Sequence, residues 1–300
     1  MASGPESPCI SASELPAKCR AGDVEAVKSY LEQLVGALPE QGLLDEYGDS
    51  CLHHATYGGH GEIVELLLQK VEVDMPNARN ETPLLVACRK NEVPLAMQLL
   101  KAGAQPNRVT SDGLTPFLAA VLAGVKDEVL DALFLQKADV NVQDARGVGA
   151  LHSLALSGNR RLLTWLMTHN ADLDLQTEHG TTALMLASKR GAEEAVALLL
   201  EARASVNFSN KAGSTALMQA FANIEVARLL MDYGASVDMG DSAGRTALFH
   251  AVVSGDEAAV QLVIQRGGRV NILDARIRIG IGIRWTLTSA PENLHLLKGF

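Results

Sequence analysis

At 300 residues, with 47% hydrophobic and only 4% aromatic side chains, the chain sits near the size limit of a single globular core. Its formal net charge of −9 offers no positive field to a phosphate backbone, so direct nucleic-acid binding is not expected, and basic or apolar protein surfaces suit it better. No apolar run reaches membrane-spanning length, and Met1–Pro8 lacks the basic and apolar segments of a signal peptide, so membrane insertion and secretion are not expected either.

Residues 1–13 are expected to be disordered, and Ala17–Leu34 then carries a helical pattern around Ala21–Gly22–Asp23–Val24. From Leu52 onward one pattern returns seven times. Anchors at Leu52, Leu84, Phe117, Leu151, Leu184, Leu217 and Leu248 are separated, by subtraction, by 32, 33, 34, 33, 33 and 31 residues. A fixed period of this size marks units that cannot bury an apolar face alone and must stack on their neighbours, which gives a solenoid.

Within each unit a residue able to adopt positive φ comes first: Gly48, Asn80, Gly113, Gly147, Gly180, Gly213 and Gly244. Two positions on, Thr82, Thr115, Thr182, Thr215 and Thr246 suit a helix N-terminus, and Pro83 and Pro116 fit the first helical turn. Small residues such as Ala55, Ala87, Ala120 and Ala187 keep this first helix thin. A second amphipathic helix follows, as in Ile63–Leu68 and Ala195–Leu200, and stops at Gly103–Ala104, Lys137–Ala138, Asn170–Ala171 or Gly234–Ala235. Short extended pieces, Val73–Asp74, Val140–Asn141, Val206–Asn207, Val237–Asp238 and Val270–Asn271, lead to the next turn.

The combination of turn glycine, Thr-Pro-Leu, paired alanines and a Gly-Ala-x-Val-Asn ending resembles the ankyrin repeat family. The resemblance implies an all-α solenoid of stacked helix-turn-helix repeats with short β-hairpin-like turns over residues 14–274, as an N-terminal partial unit plus seven repeats. Only His53 and His152 hold the family's usual histidine position, which is otherwise filled by Leu85, Leu118, Met185, Met218 and Phe249. The sixth full unit is two residues short near Phe221–Ala222–Asn223. Residues 275–300 form an atypical non-repeat tail, in which Ile277–Ile283 alternates with a period of two. Either it folds over the last interface through Ile281, Trp285, Leu287 and Leu294, or it replaces missing repeats in a truncated or alternative product; the absence of a turn glycine and Thr-Pro-Leu favours the second.

Cys9, Cys19, Cys51 and Cys88 lack CxxC spacing and fit reduced thiols in a cytoplasmic or nuclear protein. His53, His54 and His60 have no carboxylate or thiolate to complete a metal site. No nucleophile elbow, P-loop or dinucleotide fingerprint occurs, so neither a catalytic residue nor a cofactor is expected. Trp165 is expected in the core, and the Val-Asn endings at Asn141, Asn207 and Asn271 resemble asparagine-hydroxylation sites of some family members, although turn hydrogen bonding also accounts for them.

In the family, partner contacts concentrate on turn tips and on the inner face of the first helix. Carried over by offset, the groove residues are Tyr47, Asp49, His54 and Tyr57, then Arg79, Glu81, Arg89 and Lys90. Asp112, Leu114, Leu122, Arg146, Val148 and Leu156 follow, then His179, Lys189, Arg190, Arg245 and His250. Leu114, Leu122, Val148 and Leu156 are expected to form an apolar centre for a protein partner, unless some of them merely pack on adjacent turns. The implied function is a non-catalytic interaction scaffold or adaptor; a substrate-receptor subunit of a ubiquitin ligase and a regulatory fragment of a larger enzyme are the alternatives.

Overall fold

The computed structural model describes residues 10–34 and 44–269. Expectations for residues 1–9, Cys9, the Val270–Asn271 pair and the tail 275–300 lie outside these residues.

Each unit is a pair of short antiparallel helices. The first pair, α1 (Leu15–Ala21) and α2 (Val24–Gln33), is followed by α3 (Cys51–Gly58) and α4 (Gly61–Leu68), then α5 (Pro83–Arg89) and α6 (Val93–Lys101). Next come α7 (Pro116–Ala123) with α8 (Asp127–Leu135), and α9 (Ala150–Ser157) with α10 (Arg160–Thr168). The last pairs are α11 (Ala183–Arg190) with α12 (Glu193–Glu201), α13 (Ala216–Gln219) with α14 (Ile224–Asp232), and α15 (Ala247–Ser254) with α16 (Glu257–Gln265). Odd-numbered helices pack on one another in sequence to form an inner layer, and even-numbered ones form an outer layer. The core lies between the layers, where Leu52, Ile63, Leu99, Phe117, Leu130, Leu163 and Leu199 are fully buried. Within the outer layer α8 and α10 approach less closely than other neighbours, and Trp165 fills the space between them.

The N-cap threonines act as their position implies. Thr82, Thr115, Thr182 and Thr215 each accept the backbone N–H three residues on. The fourth full unit has Gly149 at this point, and there His152 Nδ1 accepts the Gly149 N–H at 3.1 Å. His53 does the same for Ser50. In the seven full units histidine and N-cap threonine thus replace one another.

The hairpin turns are built on a residue seven positions before each anchor. Asp45, Asn77, Thr110, Asp144, Thr177, Asn210 and Asp241 donate their backbone N–H to the carbonyl four residues on, over 2.9–3.1 Å. Their side chains turn back to accept backbone N–H groups inside the same turn, as Asp144 does from Arg146 and Val148. Successive tips are then joined by backbone bonds, including Ala78 to Tyr47, Glu178 to Arg146 and Lys211 to His179. The turn glycines permit this approach. Gly147 has φ of +73°, and a Cβ there would lie 2.7 Å from the Glu178 nitrogen.

The Val-Asp and Val-Asn pieces are not extended. They are turns, and among the described residues no strand forms beyond two isolated bridges, Gln143 with Gly149 and Ser209 with Thr215. The polar residue of each piece staples two units together: Asp74 accepts from Gln105 N, Asn141 from Asp172 N, and Asn207 from Ser236 N. Backbone donors at the surface are thereby paired across the unit boundary. The shortening of the sixth unit also takes a specific form. Its inner helix α13 keeps only four residues, so the last turn of that helix is missing.

Candidate inner-face binding site

Three rows of side chains run along the inner layer. The row three residues before each anchor reads Asp49, Glu81, Leu114, Val148, Thr181, Ser214 and Arg245. The row two residues after it reads His54, Val86, Ala119, Ser153, Leu186, Gln219 and His250, and the row five residues after it reads Tyr57, Arg89, Leu122, Leu156, Lys189 and Val253, with a gap at the shortened unit. These rows sit on the inner helices and on the stapled turns, which fix their spacing.

The N-terminal end is a tied polar network. Asn77 Nδ2 donates to Asp49 Oδ1 at 2.7 Å and to Glu81 Oε2 at 3.2 Å, so both carboxylates are buried with a partner. Arg89 bridges Glu81 and the Tyr57 hydroxyl. Burial pushes the Glu81 carboxyl up, but the Arg89 hydrogen bond and charge, with Asn77, outweigh it and hold the group below its ordinary range. Burial and the carboxylates of Asp49 and Glu81 push the Tyr57 hydroxyl up. Asp49 and Glu81 therefore shape this end from within instead of presenting charge to a partner. His54 is a correction as well: its side chain is 7% exposed, with Asp45 Oδ2 3.1 Å from Nε2, because the first turn folds Asp45 against it. It is not a surface contact. Tyr47, Arg79 and Lys90 remain exposed, and Tyr57 is half-buried.

The centre is apolar. Leu122 is 58% exposed and Leu156 41%, one behind the other on α7 and α9. Leu114 and Val148 are only half-buried in the turns before these helices, and Leu114 packs on the core. The expected quartet therefore divides into two outward leucines and two residues that partly support the turns. Val253, 57% exposed at the same offset, was missed because the shortened sixth unit separates it from the others. Its equivalence was available from the offset alone. Apolar exposure is not confined to this face, since Phe134 and Leu135 lie open at the end of α8.

The C-terminal end is cationic. Lys189 and Arg190 are exposed at the end of α11 and make no ion pair among the described residues. His179 is exposed at its turn tip, whereas Arg146, exposed at the tip of the central unit that carries Leu156, pairs with Asp144 of the same turn. Arg245 is exposed but holds buried Asp241 through a 2.7 Å bond. Burial raises the Asp241 carboxyl, yet the backbone N–H groups of Arg245 and Ala243 and the Arg245 guanidinium hold it below the ordinary range. His250 is half-buried 3.6 Å from Asp241, and burial keeps its imidazole below the usual value against that carboxylate's pull.

The histidine trio does not converge. His53 Nε2 bonds to the Glu81 carbonyl and His60 Nε2 to that of Arg20, each committing its ring to backbone. Among the described residues no cluster of three metal-ligating side chains occurs. Cys19, Cys51 and Cys88 are free and buried. A Cys51 hydrogen bond and burial push the Cys19 thiol far up, and burial alone pushes Cys88 up to about 12, which leaves little thiolate for nucleophilic chemistry.

A family model for ankyrin repeats, in copies of three, matches residues 17–110, 117–210 and 203–274. The chain belongs to the ankyrin repeat family. NF-kappa-B inhibitor delta of Mus musculus is 31% identical over 137 residues, 42% of this chain and 41% of that protein. Ankyrin repeat and SOCS box protein 11 of Mus musculus is 33% identical over 109 residues, 36% of this chain and 33% of that protein. An L-asparaginase of Dirofilaria immitis is 30% identical over 147 residues, 49% of this chain but 24% of that enzyme. The chain thus spans well under half the length of each of these relatives. Ankyrin repeats are protein-interaction modules. No helix among the described residues is long and apolar enough to cross a membrane.

Proposed function

We propose that the chain is a non-catalytic scaffold or adaptor that captures a segment of another protein along its inner face. The observation that carries this reading is the pair Leu122 and Leu156: two large apolar side chains, 58% and 41% exposed, at equivalent positions of adjacent repeats. Exposed apolar groups ringed by polar ones are the usual centre of a protein interface. Tyr57, Arg79, Arg89, Arg146, Lys189, Arg190 and Arg245 form the polar surround. Tyr47 lies at the tip of the first turn. Free buried cysteines fit a reducing compartment, cytoplasm or nucleus.

The test immobilises the full chain, wild type against a Leu122→Asp/Leu156→Asp double variant, and compares the captured proteins by mass spectrometry. Proteins retained by the wild type are lost from the variant while circular dichroism shows the same helix content. Equal capture by both overturns the reading.

A further inference from the structure

We propose that the segment held on the inner face is acidic at both ends and apolar in the middle. This rests on the groove reading above and specifies the chemistry of its occupant. At the C-terminal ends of the inner helices stand Arg20–Ala21, Tyr57–Gly58, Arg89 with Lys90 just beyond it, Leu122–Ala123, Leu156–Ser157, Lys189–Arg190, Met218–Gln219 and Val253–Ser254. In a chain of net charge −9, these positions carry five cations and no carboxylate. Arg20, Arg89 and Lys90 lie on one side of the two leucines, and Lys189 and Arg190 on the other.

Helix C-termini favour cations, which accounts for the sign but not for their absence from the two helices that carry Leu122 and Leu156. The two ends also show charge left over after internal pairing. On one side Arg20 and Lys90 both converge on the Tyr57 ring, at 5.9 and 5.8 Å from its centroid, in addition to the Arg89 that satisfies Glu81. On the other, Lys189 and Arg190 have no ion-pair partner among the described residues, and Glu194, on the first turn of the following helix α12, is paired with Arg160. A carboxylate arriving at either end meets an unneutralised cation, and a basic segment is repelled at both. The leucines between them require apolar residues, which a nucleic acid does not supply.

The dimensions set the length. Neighbouring helices pack about 8–10 Å apart, so the span from α5 to α11 is roughly 24–30 Å. That corresponds to about seven to nine extended residues, or about sixteen to twenty helical ones.

The full chain is panned at low salt against a display library of random 20-residue peptides, and the most enriched sequence is synthesised. Enriched peptides carry Asp or Glu on both sides of paired apolar residues. A Lys189→Glu/Arg190→Glu variant binds the synthetic peptide about fivefold or more weakly. A peptide with lysine in place of the acidic residues at one end regains affinity for that variant. Enrichment of basic or uncharged flanks, no enrichment at all, or unchanged affinity of the charge-reversed variant overturns the proposal. Leu122→Asp/Leu156→Asp separates the two readings. Peptides that still need the leucines but ignore the flanks sink only the charge assignment, whereas peptides bound equally by this variant sink the groove itself.

Discussion

The indole N–H of Trp165 on α10 donates to Asp131 Oδ1 on α8 at 2.8 Å, across the one outer-layer junction where neighbouring helices stand further apart. Around it Phe117 lies 5.9 Å away, Phe134 meets the ring edge-on at 6.2 Å, and His169 stacks on it at 3.9 Å. Trp165 thus helps to couple the first four helix pairs to the last four, together with Arg161, which pairs with Asp127 and donates to the Val125 carbonyl across the same junction, and with the packing of α7 on α9. Because a solenoid's stability is a sum of unit and neighbour terms, weakening one junction affects how the halves communicate.

Trp165→Ala is accordingly expected to cost about 3–5 kcal/mol and to split urea unfolding into two transitions, one for each half. Trp165→Phe keeps most of the bulk and loses only a bond to a half-exposed carboxylate, so it costs about 1 kcal/mol and leaves unfolding cooperative. Far-ultraviolet circular dichroism against urea distinguishes the outcomes. A single, merely shifted transition for Trp165→Ala shows that the halves are coupled elsewhere.

Gly147 and Gly158 both have positive φ, at +73° and +70°, but only Gly147 has a neighbouring backbone in the path of a Cβ. Gly158→Ala meets open space and should cost about 1 kcal/mol from the left-handed conformation alone. Gly147→Ala must also push back the Glu178 amide that joins two turn tips, and should cost at least about twice as much. Thermal melts of the two variants give the comparison directly, and equal losses would mean that the turn ladder yields easily.

The repeat, its turn glycines and its threonine caps were legible because each expresses a local requirement at a fixed offset. Residues whose role depends on the next unit were harder. The Val-Asn pieces read as extended because valine favours strands, whereas the asparagine side chain is stapling a turn to the unit beyond it. His54 read as a groove residue because its offset faces inward; Asp45 closes over it, and no local pattern reveals that. The position seven before each anchor did carry a signal, since Asp, Asn or Thr fills it every time, but three residue types obscure one geometric task. At the site, offset alone placed Leu122, Leu156, Lys189 and Arg190 correctly on an open face. It could not show that Arg89 is engaged by Glu81 or that Leu114 supports its turn.

Thr110 and Thr177 hold that turn position with one accepted N–H each, from Leu114 and Thr181, where Asp144 and Asn210 accept two. Thr110→Asn adds the second acceptor geometry and should stabilise the chain by about 0.5–1 kcal/mol. The denaturation midpoint should rise with an unchanged slope. A fall would show that the threonine methyl packs more favourably than the amide bonds.

His152 makes stability depend on pH in a definite direction. Its Nδ1 accepts the Gly149 N–H, so the ring proton sits on Nε2, which donates to the Leu175 and Thr181 carbonyls at 3.0 and 3.1 Å. Burial, opposed by those two carbonyls, holds its folded-state pKa below the ordinary 6.5. The unfolded chain then takes up a proton before the folded chain does, and stability is lost as pH falls below about 6.5. His53, buried in the same arrangement, acts in the same sense. The carboxylates of Glu81 and Asp241 contribute only further down, below their ordinary values of 4.5 and 3.8. Between pH 7 and 5 the wild-type melting temperature should therefore fall. His53→Leu/His152→Leu lowers the melting temperature at pH 7, since the Ser50 and Gly149 amides lose their acceptors. The same variant makes the slope over this range shallower and leaves the part contributed by His250, whose imidazole burial also holds below its usual value. A slope as steep as that of the wild type would place the pH sensitivity on other residues.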